Sequence, residues 1–203
     1  VIIAYLSSSD DHLINKICIA AAGIISETAV EMSNLNWKIT VPSLQKAANI
    51  DEVLIINDLQ AQGYALDFIK SKDFETLIKG SHVPKPNNTK LVCGMGTGFN
   101  VAIAYQSSFG TFVPASEYGH ARITAANKKQ NLILQQLEKN SSFVSYENIL
   151  AGSGLNRLDH VLNQRNDRTP ADIIAAAGEG ELQAIEVGTQ LAGFAGQAFG
   201  DFA

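Results

Sequence analysis

The sequence has no basic run, only 2 cysteines, 1 tryptophan and 5 prolines, and no long uninterrupted apolar stretch. Each shortage removes a class of function. Charged residues make up 17% of the chain and the formal net charge is −5, so a nucleic-acid partner has no electrostatic footprint. A membrane span needs about 20 consecutive apolar residues, and none occurs; nothing at the start resembles a signal peptide either. Cys18 and Cys93 each sit inside an apolar, strand-like run, which predicts buried free thiols in a reducing cytoplasm rather than a disulfide or a metal site. The chain opens on Val1 within a helix-like pattern and closes on "GQAFGDFA" without a terminal cap, as a fragment or a chain with omitted flanks would.

What is present suits an α/β protein. The 203 residues, 46% of them hydrophobic, can bury a sizeable core in one large domain or two small ones. "KICIAAAG" (16–23) and "EVLIIN" (52–57) read as buried strands, and "ETAVEM" (27–32) and "WKITV" (37–41) as more exposed ones. Pro42 and Ser43 open a short helix, and "DLQAQGYALDFIK" (58–70) continues the strand–helix alternation that makes parallel sheets. The segment 79–90 is polar and holds two prolines, as a loop or junction does. "KLVCGMGTGFNVAIAY" is a strand, a glycine turn and a second strand. Four helical patterns fill the chain from residue 127 onward.

Four places carry candidate chemistry. Asn57 and Asp58 leave the carboxyl end of a buried strand, where open α/β sheets bind ligands. Asp58 there is either a helix cap or a carboxylate that takes a proton from a substrate hydroxyl; on position alone the cap is the simpler reading. Gly94, Gly96 and Gly98 with Thr97 could bring backbone N–H groups and a hydroxyl to a phosphate. The plain alternative is a glycine-rich hairpin. Glu117 and His120 in "EYGH" form a pair suited to sugar hydroxyls, or a surface pair; with His12, His82 and His160 at unmatched spacings, they do not make a metal site. Ser145 reads as an N-cap that places Glu147 in a first helical turn, where a carboxylate is favoured in any case.

In order, "IIND", "GMGTG", "EYGH" and "ENILAGSGL" resemble the bacterial glucokinase family, whose usual run is IND-F/L, G-x-GTGLG, E-GGH and ERVLSGPGL. Upstream, Asn34 and Trp37 match the family's T/S-N-x-x-W segment, so the resemblance covers nearly all of the chain from about residue 16. It implies the actin-like ATPase (ribonuclease H-like) fold, with two α/β domains flanking a cleft and both ends incomplete. Residues 1–68 would form part of the small domain and 69–203 part of the large one, with a hinge just after Asp58.

The resemblance implies ATP-dependent phosphorylation of a hexose, most simply glucose, with ATP and Mg²⁺ as cofactors and no protein-bound metal site. Asp58 resembles the general base, and Asn34, Asn57, Glu117, His120 and Glu147 resemble sugar ligands. Gly94, Gly96, Thr97 and Gly98 resemble the second phosphate loop. Phosphoryl transfer asks a protein mainly for such positioning and charge neutralisation. The expected partners are a sugar and ATP, with neither nucleic acid nor membrane; members of the family often dimerise. Two other readings are a non-catalytic sugar-binding regulator and a kinase for another hexose.

The match departs in places. Asn100 stands where bacterial members have Gly, and eukaryotic hexokinases, with GTG-x-N, use that Asn on the sugar. Asn100 is therefore either an extra sugar contact or a reshaped turn. Tyr118 replaces the first Gly of GGH, and "ARITAANKKQ" lacks the cysteines of the ROK kinases, which disfavours that family and its zinc. The family's D-x-GGT phosphate loop and its later Gly-Gly adenosine segment do not occur within residues 1–203. Kinase activity is therefore expected where flanking segments supply them, and sugar binding alone where they do not.

Overall fold

The computed structural model describes residues 14–32, 35–79, 89–139 and 141–202. Contacts gather these into two compact units. The first runs up to Lys90 and adds Ala102–Ala115; the second takes Leu91–Val101 and continues from Ser116.

In the first unit, β1 (Lys16–Ala21) lies parallel to β5 (Glu52–Asn57), with Ala21 opposite Asn57. Strands β2 (Gly23–Ile25), β3 (Ala29–Met32) and β4 (Lys38–Thr40) form an antiparallel meander. Helix α1 (Val41–Ala48) follows, with the Thr40 side chain accepting from the Ser43 N–H and Pro42 in the first turn, where its missing N–H costs nothing. Ala21, Val30, Leu44 and Ile55 make the core, flanked by Ile19, Ile25, Ile39, Val41 and Val53.

The β1–β5 pair is not buried on both faces, as its continuous apolar runs predict. Burial alternates: Ile17 and Ile19 are partly covered and Ala21 is buried, while Cys18 and Ala20 are exposed. Leu54 is likewise 57% exposed between the more covered Val53 and Ile55. The core just named covers one face only, and a strand's side chains alternate between faces. The expectation of two buried thiols is corrected accordingly. Both are free, but Cys18 is exposed and Cys93 is half-buried, where loss of hydration pushes its thiol up to about 11.

Helix α2 (Asp58–Ala65) stops short of the residue 70 expected from its pattern. Asp67, just beyond it, is drawn into tertiary contacts instead. It accepts from Lys90 at 2.5 Å, from Thr111 at 2.7 Å and from Gln106, and these bonds, Lys90's first, hold its carboxyl down at about 2. Strands β6 (Lys90–Met95), β7 (Phe99–Ser107) and β8 (Gly110–Phe112) follow in that order in one sheet, and β7 is antiparallel to β8.

The second unit is mainly helical: α3 (Lys128–Glu138), α4 (Tyr146–Leu150), α5 (Gly152–Asn163), α6 (Pro170–Gly178) and α7 (Leu182–Phe202). Asn127, Ser145 and Thr169 cap α3, α4 and α6 through their side chains. Phe194, Ile149, Leu158, Ile173 and Val187 are fully buried at its centre; each contributes roughly 1.5–3 kcal/mol by leaving water. Helices α4 and α5 are separated at Ala151, whose ψ of 166° breaks the helical path. Gly154 is obligatory there, since a Cβ would lie 1.8 Å from the Ile149 carbonyl oxygen. Among the described residues no helix is long and apolar enough to cross a membrane.

Candidate active site

Asn57 ends β5 in extended conformation, and its Oδ1 accepts the Leu59 N–H at 3.0 Å. Its own N–H donates to Gln60 Oε1 at 3.4 Å, which closes a capping box. Gln60 also donates from Nε2 to the Val113 carbonyl at 2.6 Å, and Gly63 lies so close to Val113 that a Cβ would sit 2.8 Å from its Cγ1. The start of α2 is thus fixed at three points. Asn57 is the N-cap of α2, and Asp58 shares its Leu59 N–H. One Asp58 oxygen, Oδ1, accepts from Leu59 N–H at 3.0 Å. The carboxylate is half-buried, and among the described residues nothing donates to Oδ2.

The second unit holds the glycine turn, Asn100, Glu117, His120 and Glu147. Gly94 falls inside β6, so the turn proper is Gly96–Gly98. Gly96 N–H donates to the Gly98 carbonyl at 2.9 Å, and the Gly96 carbonyl accepts from Gly152 N–H at 2.8 Å, which ties the turn to the start of α5. Neither Gly96 nor Gly98 has positive φ; among the described residues the glycines that do are Gly110 and Gly180. A side chain at 98 would displace the Glu147 carboxylate rather than strain the backbone. A Cβ there would lie 2.8 Å from Glu147 Oε2, and that oxygen accepts the Phe99 N–H at 3.2 Å. Thr97 is exposed at the tip.

Glu117 opens a 3-10 turn, Tyr118–His120, in which His120 N–H donates to the Glu117 carbonyl at 3.2 Å. Gly119 is pressed against β7: a Cβ would lie 1.9 Å from the Phe99 carbonyl oxygen. Asn100 Nδ2 donates to the Ser116 carbonyl at 2.7 Å and to Glu117 Oε2 at 3.2 Å. Tyr118, which replaces a glycine of the expected pattern, packs its ring against Phe202 of α7, tilted by 49° with centroids 5.2 Å apart. Phe202 also contacts Tyr146 at 5.0 Å, and Tyr146 lies 6.2 Å from Phe99. Burial first, and then its bond to Asp201, push the Tyr146 hydroxyl up. Asn34 lies outside the described residues.

Sequence reasoning found the carboxylates but missed what holds them. The Phe99 N–H on Glu147 is a backbone group without a sequence signature. Gly119 offered one signal, the glycine inside E-x-G-H. Gly119→Ala is expected to lower stability by about 1–3 kcal/mol through overpacking, read as a lower urea midpoint at unchanged m-value.

The second unit thus holds a glycine turn tied to the start of α5, and two carboxylates that accept from β7. The comparisons with known proteins agree with the family resemblance of the sequence. The Glucokinase family model matches residues 1–203. A bifunctional protein glk of Paraburkholderia xenovorans is 28% identical over 100% of this chain and 32% of its own length. A glucokinase of Erwinia tasmaniensis is 31% identical over 85% of this chain and 53% of its own. The crystal structure of a glucokinase from an Antarctic psychrotroph superposes with a TM-score of 0.81 at 28% identity, covering 92% of this chain and 59% of that one. The chain therefore spans between about a third and three fifths of the length of these relatives. With its mixed α/β architecture and the whole of its sequence matched, the chain belongs to the glucokinase family, on the actin-like ATPase fold.

Proposed function

We propose that the intact protein phosphorylates a hexose with ATP, and that glucose is its substrate. The observation that carries this reading is the Asp58 carboxylate, whose Oδ1 shares the Leu59 N–H with the capping Asn57 and whose Oδ2 has no donor among the described residues. In this reading Oδ2 accepts the proton of the sugar's 6-hydroxyl as that oxygen bonds to the γ-phosphorus and the bond to the ADP oxygen breaks. Glu117, His120 and Glu147 hold the other hydroxyls, with Asn57 beside the base and Asn34 as a further sugar ligand. Glu147 suits this role, since the Phe99 N–H fixes one of its oxygens.

The Gly96–Gly98 turn fits a nucleotide phosphate: a Cβ on Gly96 would meet nothing within 4 Å, so the backbone is open to close approach. Thr97 supplies a hydroxyl there. Mg²⁺, when bound with the nucleotide, neutralises phosphate charge and is carried largely by phosphate oxygens and water.

The test is a coupled assay on the full-length protein with ATP and glucose, mannose, fructose or N-acetylmannosamine. ATP-dependent turnover with the highest kcat/KM for glucose is expected. Glucose binding without turnover would replace the kinase with a sugar-binding protein, and a preference for another hexose would correct the substrate.

A further inference from the structure

We infer that Asn100 is a positioning residue that acts on the sugar through Glu117, an inference that rests on the sugar-kinase reading above. A side-chain amide offers two N–H donors and one carbonyl acceptor. In Asn100 the donors are directed at the Ser116 carbonyl, 2.7 Å away, and at Glu117 Oε2, 3.2 Å away. The Oδ1 accepts from Val101 N–H at 2.8 Å. The reversed amide would set oxygen against a carbonyl and a carboxylate, so one orientation is fixed. No donor is left for a sugar hydroxyl. Ser116 Oγ donates in turn to the Val101 carbonyl, which closes the loop onto the strand.

Phe99, Asn100 and Val101 therefore form one short ruler. The Phe99 N–H sets Glu147, the Asn100 amide sets Glu117, and the Phe99 carbonyl fixes how closely Gly119 approaches. A glycine at 100, the pattern this chain departs from, would remove the Asn100 amide from Glu117 Oε2 and leave the rest of the ruler in place.

A double-mutant cycle on the full-length protein tests this, with glucose affinity measured by calorimetry and each variant's melting temperature checked. Asn100→Ala is expected to weaken glucose about tenfold, in line with the cost of displacing a positioned group. In a Glu117→Ala background the same change is expected to have less than about a twofold effect, because coupled residues do not add. Equal losses in both backgrounds would mean that Asn100 contacts the sugar itself, and no loss in either would remove its role; both overturn the inference. A crystal structure of sugar-free Asn100→Ala gives a second readout that does not depend on the substrate. The Glu117 carboxylate is expected to leave its position there while the backbone of residues 99–101 stays. An unmoved Glu117 overturns the brace even where the kinase reading holds, and absence of glucose binding by the unmutated protein counts against the kinase reading alone.

Discussion

Asp58→Asn in the full-length protein is expected to lower kcat for hexose phosphorylation by about 10²–10⁴-fold, the usual contribution of a positioned general base. The KM for the sugar should stay within about threefold, because only an interaction made in the transition state is removed. The fold should be unaffected. Asn57 holds the cap, and an amide oxygen at 58 can still accept the Leu59 N–H that Oδ1 accepts now. The neighbouring change separates the two jobs. Asn57→Ala removes a cap worth about 1 kcal/mol and should lower the melting temperature, and in the sugar-binding role proposed for Asn57 it should raise the sugar KM as well. Turnover of Asp58→Asn at the unmutated rate would end the base assignment.

The largest loss of stability is expected at a position remote from this chemistry. Asp159 on α5 is 2% exposed and takes two bonds from Arg168, at 3.0 Å to Nε and 2.6 Å to Nη2. Asn163 adds a third bond at 2.8 Å, and Arg168 reaches on to Glu181 at 2.8 Å. Removing one partner of a buried pair strands the other, at a cost of about 3–5 kcal/mol. Asp159→Ala should fall toward the lower end, since Glu181 still pairs with Arg168. Urea unfolding checks this, where a loss of 3 kcal/mol moves the midpoint by about 1–3 M. A midpoint within about 0.3 M of the unmutated one would refute it.

The pH dependence follows from the same contacts. Burial pushes the Asp159 carboxyl up, but the bonds from Arg168 and Asn163 and the charges of Arg168 and Arg165 together hold it below its ordinary value. A depressed carboxyl stabilises the fold above its unfolded pKa of about 3.9 and loses that contribution as pH falls through the folded value. The gap between the unmutated protein and Asp159→Ala should therefore be constant near neutrality and narrow below about pH 4.

The strands and the helix starts were legible because their signals are local. "EVLIIN" carries its β-branched run, and Ser145 stands immediately before its helix. The end of α2 was not legible, since Asp67 is diverted by Lys90, Gln106 and Thr111 from distant parts of the chain. The open face of β1 and β5 was hidden for a different reason. An unbroken apolar run looks the same whether one face or both are covered, so Cys18 read as buried. At the site, residue types revealed the carboxylates, whereas the role of Asn100 depends on a partner 17 positions away.

The aromatic contacts that join Phe99, Tyr118, Tyr146 and Phe202 also bear on the order in which this unit folds. They connect Phe99 at the start of β7, by way of Tyr146, with Phe202 in the last turn of α7, and each closes a long loop before it gains anything. Contacts of that kind form late, after local helix pairs such as α4 with α5. Tyr118, beside Glu117, gains its contact with Phe202 only at that stage, whereas the bonds of Asn100 to Ser116 and Glu117 span 16 and 17 positions and hold the same loop earlier.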